Sequence, residues 1–127
     1  MNNPGIWPCL RFTDAEAARR FLTEVFGFTE TLTVRGDDGV SIVHGELRWP
    51  EGGGVMYSSA AECENGPAPG EQYLCVVTGD PDAVHERAVA AGAQVPQPPG
   101  DSGHGSRLAA VADPEGNIWT FDTYRGA

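Results

Sequence analysis

His44 and Glu46 stand two residues apart in a β-rich stretch, Val40 to Trp49, so they project from the same face of a strand. An imidazole beside a carboxylate can move a proton near neutral pH, or hold part of a metal ion, with His104 or Asp122 as a third group. The alternative is a hydrogen-bonded, solvent-facing pair, because two residues do not make a metal site. Arg107 follows Gly103 and Gly105 and offers a planar guanidinium either to a ligand carboxylate or to a surface salt bridge. Cys9, Cys63 and Cys75 are odd in number and form no CxxC, which indicates neither a disulfide framework nor a zinc knuckle. Cys9 and Cys75 are expected to be small buried hydrophobes. Reduced thiols fit a cytoplasmic protein.

The net charge of −10 at pH 7 repels phosphate backbones and anionic lipid surfaces, so neither nucleic acid nor membrane is an expected partner. The same charge favours a cationic ligand, or serves only to keep the surface solvated. No basic segment followed by an apolar run opens the chain, and no apolar run reaches spanning length. With 127 residues and 40% hydrophobic content, the chain suffices for one core and not two, which predicts a single domain over 1–127.

Two helices must position these groups. Thr13-Asp14-Ala15-Glu16 has the form of a capping box, and Ala18, Phe21, Leu22, Val25 and Phe26 recur at helical spacing up to Gly27, predicting a helix over 14–26. Asp80-Pro81 reads as an N-cap with proline in the first turn; Val84, Ala88 and Ala91 form a stripe, and Gly92 is the stop. Strands are predicted over 6–12, 28–34, 40–49 and 55–58, and again over 72–78, 94–96, 107–112 and 118–124. Gly36-Asp37-Asp38-Gly39 is a hairpin turn. Pro96 to Gly105 reads as a loop, either an ordinary surface one or a flap over a cleft.

The order strand, helix, three strands thus occurs twice. Thr13 to Thr78 and Gly27 to Gly92 are each 65 apart, and Pro50-Glu51-Gly52 to Pro114-Glu115-Gly116 is 64, which argues for duplication of one module. The modules are read as 5–60 and 71–125, joined by a Glu-, Pro- and Gly-rich linker over 61–70. Trp119 and Phe121 alternate with Thr120 and are expected to pack under the helices with Phe21 and Phe26.

Asp113-Pro114-Glu115-Gly116-Asn117-Ile118-Trp119 closely resembles the DP-x-GN hairpin before the last strand of the glyoxalase/bleomycin-resistance (vicinal oxygen chelate) superfamily, and Glu24-Val25-Phe26-Gly27-Phe28 resembles its FY…LGF segment. His44-Gly45-Glu46-Leu47-Arg48 and Gly105-Ser106-Arg107 resemble the bacterial PhnB-like subgroup. The resemblance implies an α+β fold of two tandem βαβββ modules forming a curled mixed sheet around a cleft, commonly in a homodimer. It also implies, in the metal enzymes, four inward His, Gln or Glu ligands from the first and last strands of both modules.

Those four positions fall here on Trp7, Met56, Tyr73 and Thr120. None is a usual ligand for a hard or borderline cation. A slip of one residue restores at most one. With Trp7 and Tyr73 facing each other, the cleft would suit a planar or cationic organic molecule, as in the drug-sequestering members of the superfamily; the alternative is that both rings plug a closed core. The expected function is therefore metal-free, cofactor-free binding of a small molecule such as an antibiotic. The rival is a metal-dependent lyase, isomerase or dioxygenase with ligands displaced to His44, Glu46 and His104.

Overall fold

The computed structural model describes residues 3–127. The first module runs β1 (Cys9–Phe12), α1 (Ala15–Phe21), a π-helical turn (Leu22–Phe26), β2 (Thr29–Arg35), β3 (Ile42–Arg48) and β4 (Gly54–Ser59). After a 3₁₀ turn at Ala60–Glu62, the second runs β5 (Tyr73–Val77), α2 (Pro81–Ala90), β6 (Gln97–Asp101), β7 (Arg107–Ala112) and β8 (Ile118–Asp122). Each module builds its own four-stranded mixed sheet, ordered β1-β4-β3-β2 and β5-β8-β7-β6, so the α+β fold of two tandem βαβββ units is as read from the sequence.

Equivalent pairings recur in both sheets. Cys9 lies opposite Met56 in the parallel pair β1–β4, and Cys75 opposite Thr120 in β5–β8. Alternation then sorts the side chains. Leu10, Phe12, Leu47, Val55 and Tyr57 turn inward from the first sheet, and Val76, Val111, Trp119 and Phe121 from the second, into one shared core. Phe26 and Phe28 enter it from the end of the first helical segment, in ring contact with Trp119 at 5.5 and 5.7 Å.

The proline–glutamate turns clamp the modules reciprocally. Glu115 accepts the backbone N–H groups of Thr13 and Asp14 at 2.7 and 2.8 Å, where β1 runs into α1. Glu51 accepts the N–H of Gly79 at 3.2 Å, where β5 runs into α2. Trp49 adds an indole N–H donated to the Val77 carbonyl at 2.8 Å. Within the second module, Asp113 is buried and its carboxylate accepts the N–H of Glu115 and Asn117, the Asn117 amide and the Trp119 indole. The DP-x-GN motif is thus a hydrogen-bonded knot that sets the angle of β8.

Three local expectations are corrected. The cap of the first helix is Asp14, not Thr13: its carboxylate accepts from Ala17 N–H at 3.0 Å, while Glu16 is drawn away by Arg19 and Arg35 and closes no capping box. The α-helix ends at Phe21, and the predicted remainder is the π turn, closed by Gly27 at φ 95°. The caps Asp14 and Asp80 are therefore 66 apart while the glycine stops are 65 apart, so the repeat offset shrinks along the module. Strand β6 lies at Gln97–Asp101, inside the stretch read as a loop. Pro98 and Pro99 lack N–H donors, yet an edge strand with an irregular register accommodates them.

Glu16 sits between Arg19 at 2.6 Å and Arg35 at 2.7 Å, and its hydrogen bond to Arg19 leads in lowering its pKa from 4.5 to about 2. A carboxylate whose folded pKa is depressed contributes stability above its unfolded pKa and loses it as pH falls towards the folded value. The urea midpoint should drop between about pH 4.5 and about 2, and that drop should shrink in Glu16→Gln. Glu51→Ala and Glu115→Ala should each destabilise by about 1–2 kcal/mol, since each removes charge-assisted bonds to backbone N–H. Because both clamps hold one interface, the double variant should depart from additivity in a urea titration.

Candidate functional site

The faces that turn away from the core carry the candidate residues. On the first sheet a row runs across four strands, Leu32, Glu46, Met56 and Cys9, each opposite the next. His44 lies one pleat along β3 from Glu46, and their side chains meet at 2.7 Å, both part-exposed. This pairing is the one read from the sequence. Trp7 flanks the row, with the Arg48 guanidinium 5.0 Å above its ring. Gly54 permits this: a Cβ there would lie 2.8 Å from the Trp7 ring and 2.4 Å from the Leu47 carbonyl oxygen.

A cavity of about 300 Å³ opens on this face, lined among others by Cys9, Arg11, His44, Met56, Glu62 and Cys63. Arg11 does not offer its charge to it. The guanidinium donates to the carbonyls of Cys63 at 2.6 Å, Pro67 at 3.1 Å and Ala60 at 3.3 Å, stapling the segment between the modules beside the cavity. Nothing in the sequence marked this role; an arginine on a strand gives no sign of which carbonyls will surround it.

On the second sheet the equivalent row is Gln97, Ala110, Thr120 and Cys75. Thr120 is 6% exposed and donates its hydroxyl hydrogen to the Tyr73 oxygen at 3.1 Å, whereas Tyr73 itself is 71% exposed. Asp122 stands next along β8, opposite Val77 and Leu108. A second cavity, of about 390 Å³, is lined by Asp122, His104, Ser102, Ser106, Leu108 and Tyr124.

The structure thus gathers His44, Glu46, Met56 and Trp7 on one face and Tyr73, Thr120 and Asp122 on another. Trp7 and Tyr73 are not in ring contact among the described residues; each sits against its own sheet. His104 lines the second cavity and does not join His44 and Glu46. Arg107 is outside both sets, because its guanidinium meets Asp82 of α2 in a two-point contact at 2.7 and 2.9 Å. Cys9 and Cys75 are exposed, not buried as expected, since both fall on the outward register of their strands.

The donor set does not fit the divalent ion that the superfamily resemblance implies. An indole, a thioether, a phenol and a threonine hydroxyl already engaged by that phenol occupy the four positions. Among the described residues no three His, Cys, Asp or Glu side chains converge in a way that could hold a metal.

The paired modules and this geometry define a class, and comparison with known proteins agrees. The chain belongs to the glyoxalase/bleomycin resistance protein/dioxygenase superfamily, whose family profile matches residues 7–121. It is 30% identical over 128 aligned positions to CFP32 of Mycobacterium bovis, a match covering 95% of this chain and 47% of that protein. The chain therefore spans about half the length of the curated relatives it matches. Among solved structures it is similar to TioX from Micromonospora sp. ML1, with a TM-score of 0.75 and 32% identity over 93% of this chain and 98% of that one. It also shares its fold with TnmS3 from Streptomyces sp. CB03234, described as an antibiotic binding protein, at a TM-score of 0.71 and 24% identity over 96% and 97% of the two chains.

The thiols report on the two faces separately. Although Cys75 is exposed at the surface, partial desolvation of its thiol by neighbouring atoms, followed by the nearby Asp122 carboxylate, pushes it up from its ordinary value. In the folded protein Cys75 should react with a disulfide reagent more slowly than a typical exposed thiol at pH 8. Asp122→Asn should accelerate it by removing the like charge, leaving the rate at Cys9 unchanged, as followed by mass spectrometry of the modified chain.

Proposed function

We propose that this chain is a metal-free small-molecule binding protein that sequesters a planar aromatic or cationic compound, such as an antibiotic. The observation that carries this reading is the replacement of metal-ligand chemistry by Trp7, Met56, Tyr73 and Thr120 on outward-facing sheet surfaces. An indole ring that already stacks with one guanidinium, a polarisable thioether and an exposed phenol form a surface suited to flat π systems. Glu46 with His44 on the first face and Asp122 on the second supply polar contacts, and the net charge of −10 draws cations. Arg107, engaged with Asp82, stays outside the set.

The binding cleft in this reading is completed by a second copy of the chain. Leu32, Val34, Val43 and Tyr73 expose 42 to 71% of their surface, more apolar area than a solitary sheet face needs, and a homodimer covers it. A reducing cytoplasm suits three free cysteines, two of them exposed. The description of TnmS3 as an antibiotic binding protein supports the ligand class.

The His44–Glu46 contact favours one rival, a displaced metal site with enzymatic activity. Both readings meet in one set of measurements. Bleomycin and planar aromatic cations should quench tryptophan emission saturably, and the signal should come from Trp7, since Trp49 and Trp119 are buried. Trp7→Ala should weaken binding about tenfold, roughly 1.4 kcal/mol. Sedimentation should show a dimer. No quenching by any of these compounds would sink the proposal, and a stoichiometric divalent metal lost on His44→Ala would establish the rival.

A further inference from the structure

The cavity around Asp122 is built for different chemistry from the one around Met56. Asp122 ends β8 with its carboxylate accepting the backbone N–H of Tyr124 at 2.9 Å, and among the described residues no Arg or His forms an ion pair with it. A part-exposed carboxylate on the cavity wall with no cation of its own is open to a cationic ligand.

Two hydroxyls that line the same cavity are linked to each other. The Ser102 and Ser106 hydroxyl oxygens lie 2.8 Å apart, and the Ser102 oxygen accepts the N–H of His104 at 3.0 Å. The Ser102 oxygen also accepts the N–H of Ser106 at 3.4 Å, so the two linked hydroxyls together can both donate to and accept from a ligand. Tyr124, 57% exposed, adds an aromatic ring, and Leu108 an apolar patch.

We propose that this cavity, of about 390 Å³, binds an amino sugar: a hydroxylated ring carrying a protonated amine. The ammonium pairs with Asp122, neighbouring ring hydroxyls exchange hydrogen bonds with Ser102 and Ser106, and the C–H face of the ring lies on Tyr124. A neutral sugar leaves the carboxylate uncompensated, and a simple alkylammonium leaves the serine pair unused. An anionic ligand is repelled by Asp122. The inference rests on the reading of the outward faces as ligand surfaces, the sugar being the portion that the second face takes.

Amide NMR of the full chain titrated with glucosamine, glucose and choline tests this. Glucosamine should shift the resonances of residues 106, 108, 122 and 124 saturably, with glucose and choline at least about tenfold weaker. Asp122→Asn should lower glucosamine affinity about tenfold, and Ser106→Ala by a smaller factor. Quenching of Trp7 by a planar aromatic cation should persist in Ser106→Ala, and Asp122→Asn should keep the parent's amide spectrum away from the cavity, which shows that both are folded and separates the two readings. The amino-sugar site is overturned if glucosamine shifts nothing at tens of millimolar, if glucose or choline matches it, or if Asp122→Asn and Ser106→Ala both bind it as the parent does. If the aromatic cation fails on the parent chain as well, the functional reading falls too.

Discussion

Five aromatic rings close a circuit at the centre of the molecule: Phe26 touches Trp119, Trp119 touches Phe28, Phe28 touches Trp49, Trp49 touches Phe121, and Phe121 returns to Phe26, at centroid distances of 4.8 to 5.8 Å. Three of the rings come from the first module and two from the second. Tilted and edge-on ring contacts of this kind add to the area buried by each ring. Neither half can complete the circuit alone. Much else follows from this shared interior: the inward register of the six strands that feed it, the reciprocal glutamate clamps that align the two halves, and the outward faces that remain.

The circuit explains why much of the fold was legible and where legibility ended. Strong local signals survived: Asp80-Pro81 caps α2, Gly27 and Gly92 follow the helices, Gly36 to Gly39 turns a hairpin, and β7 runs over Arg107–Ala112 as read. Each depends on residues close in sequence. Features decided by distant partners were not legible. Thr13 looked like a cap, but Glu115, about a hundred residues away, takes its N–H. The pair of prolines in β6 argued for a loop until an edge position relieved them of donor duty. Period-two spacing placed His44 and Glu46 together, but no pattern could report that Arg107 would turn to Asp82.

The two outward faces have diverged. On the first, Arg11 is consumed by three backbone carbonyls, and the face presents sulfur, an indole under the Arg48 guanidinium and the His44–Glu46 pair. The second presents phenols, serine hydroxyls and the carboxylate of Asp122. A superfamily scaffold that can place four equivalent ligands around an ion here places four unlike groups. Symmetry is kept in the backbone, where Cys9 faces Met56 and Cys75 faces Thr120, and abandoned in the chemistry it carries.

The π turn at Leu22–Phe26 records part of that history. A turn that closes over five residues instead of four is what a helix becomes when one residue is inserted into it. From cap to glycine stop the first helical segment is one residue longer than the second, Asp14 to Gly27 against Asp80 to Gly92. After duplication the halves came to differ in length by a single residue, and the surplus was absorbed as a bulge within the helix rather than passed along the chain. The Leu22 carbonyl takes up the slack by accepting the N–H of both Gly27 and Phe28. The parallel pairings nevertheless keep equivalent registers, Cys9 opposite Met56 and Cys75 opposite Thr120, which is how two unequal modules still mesh.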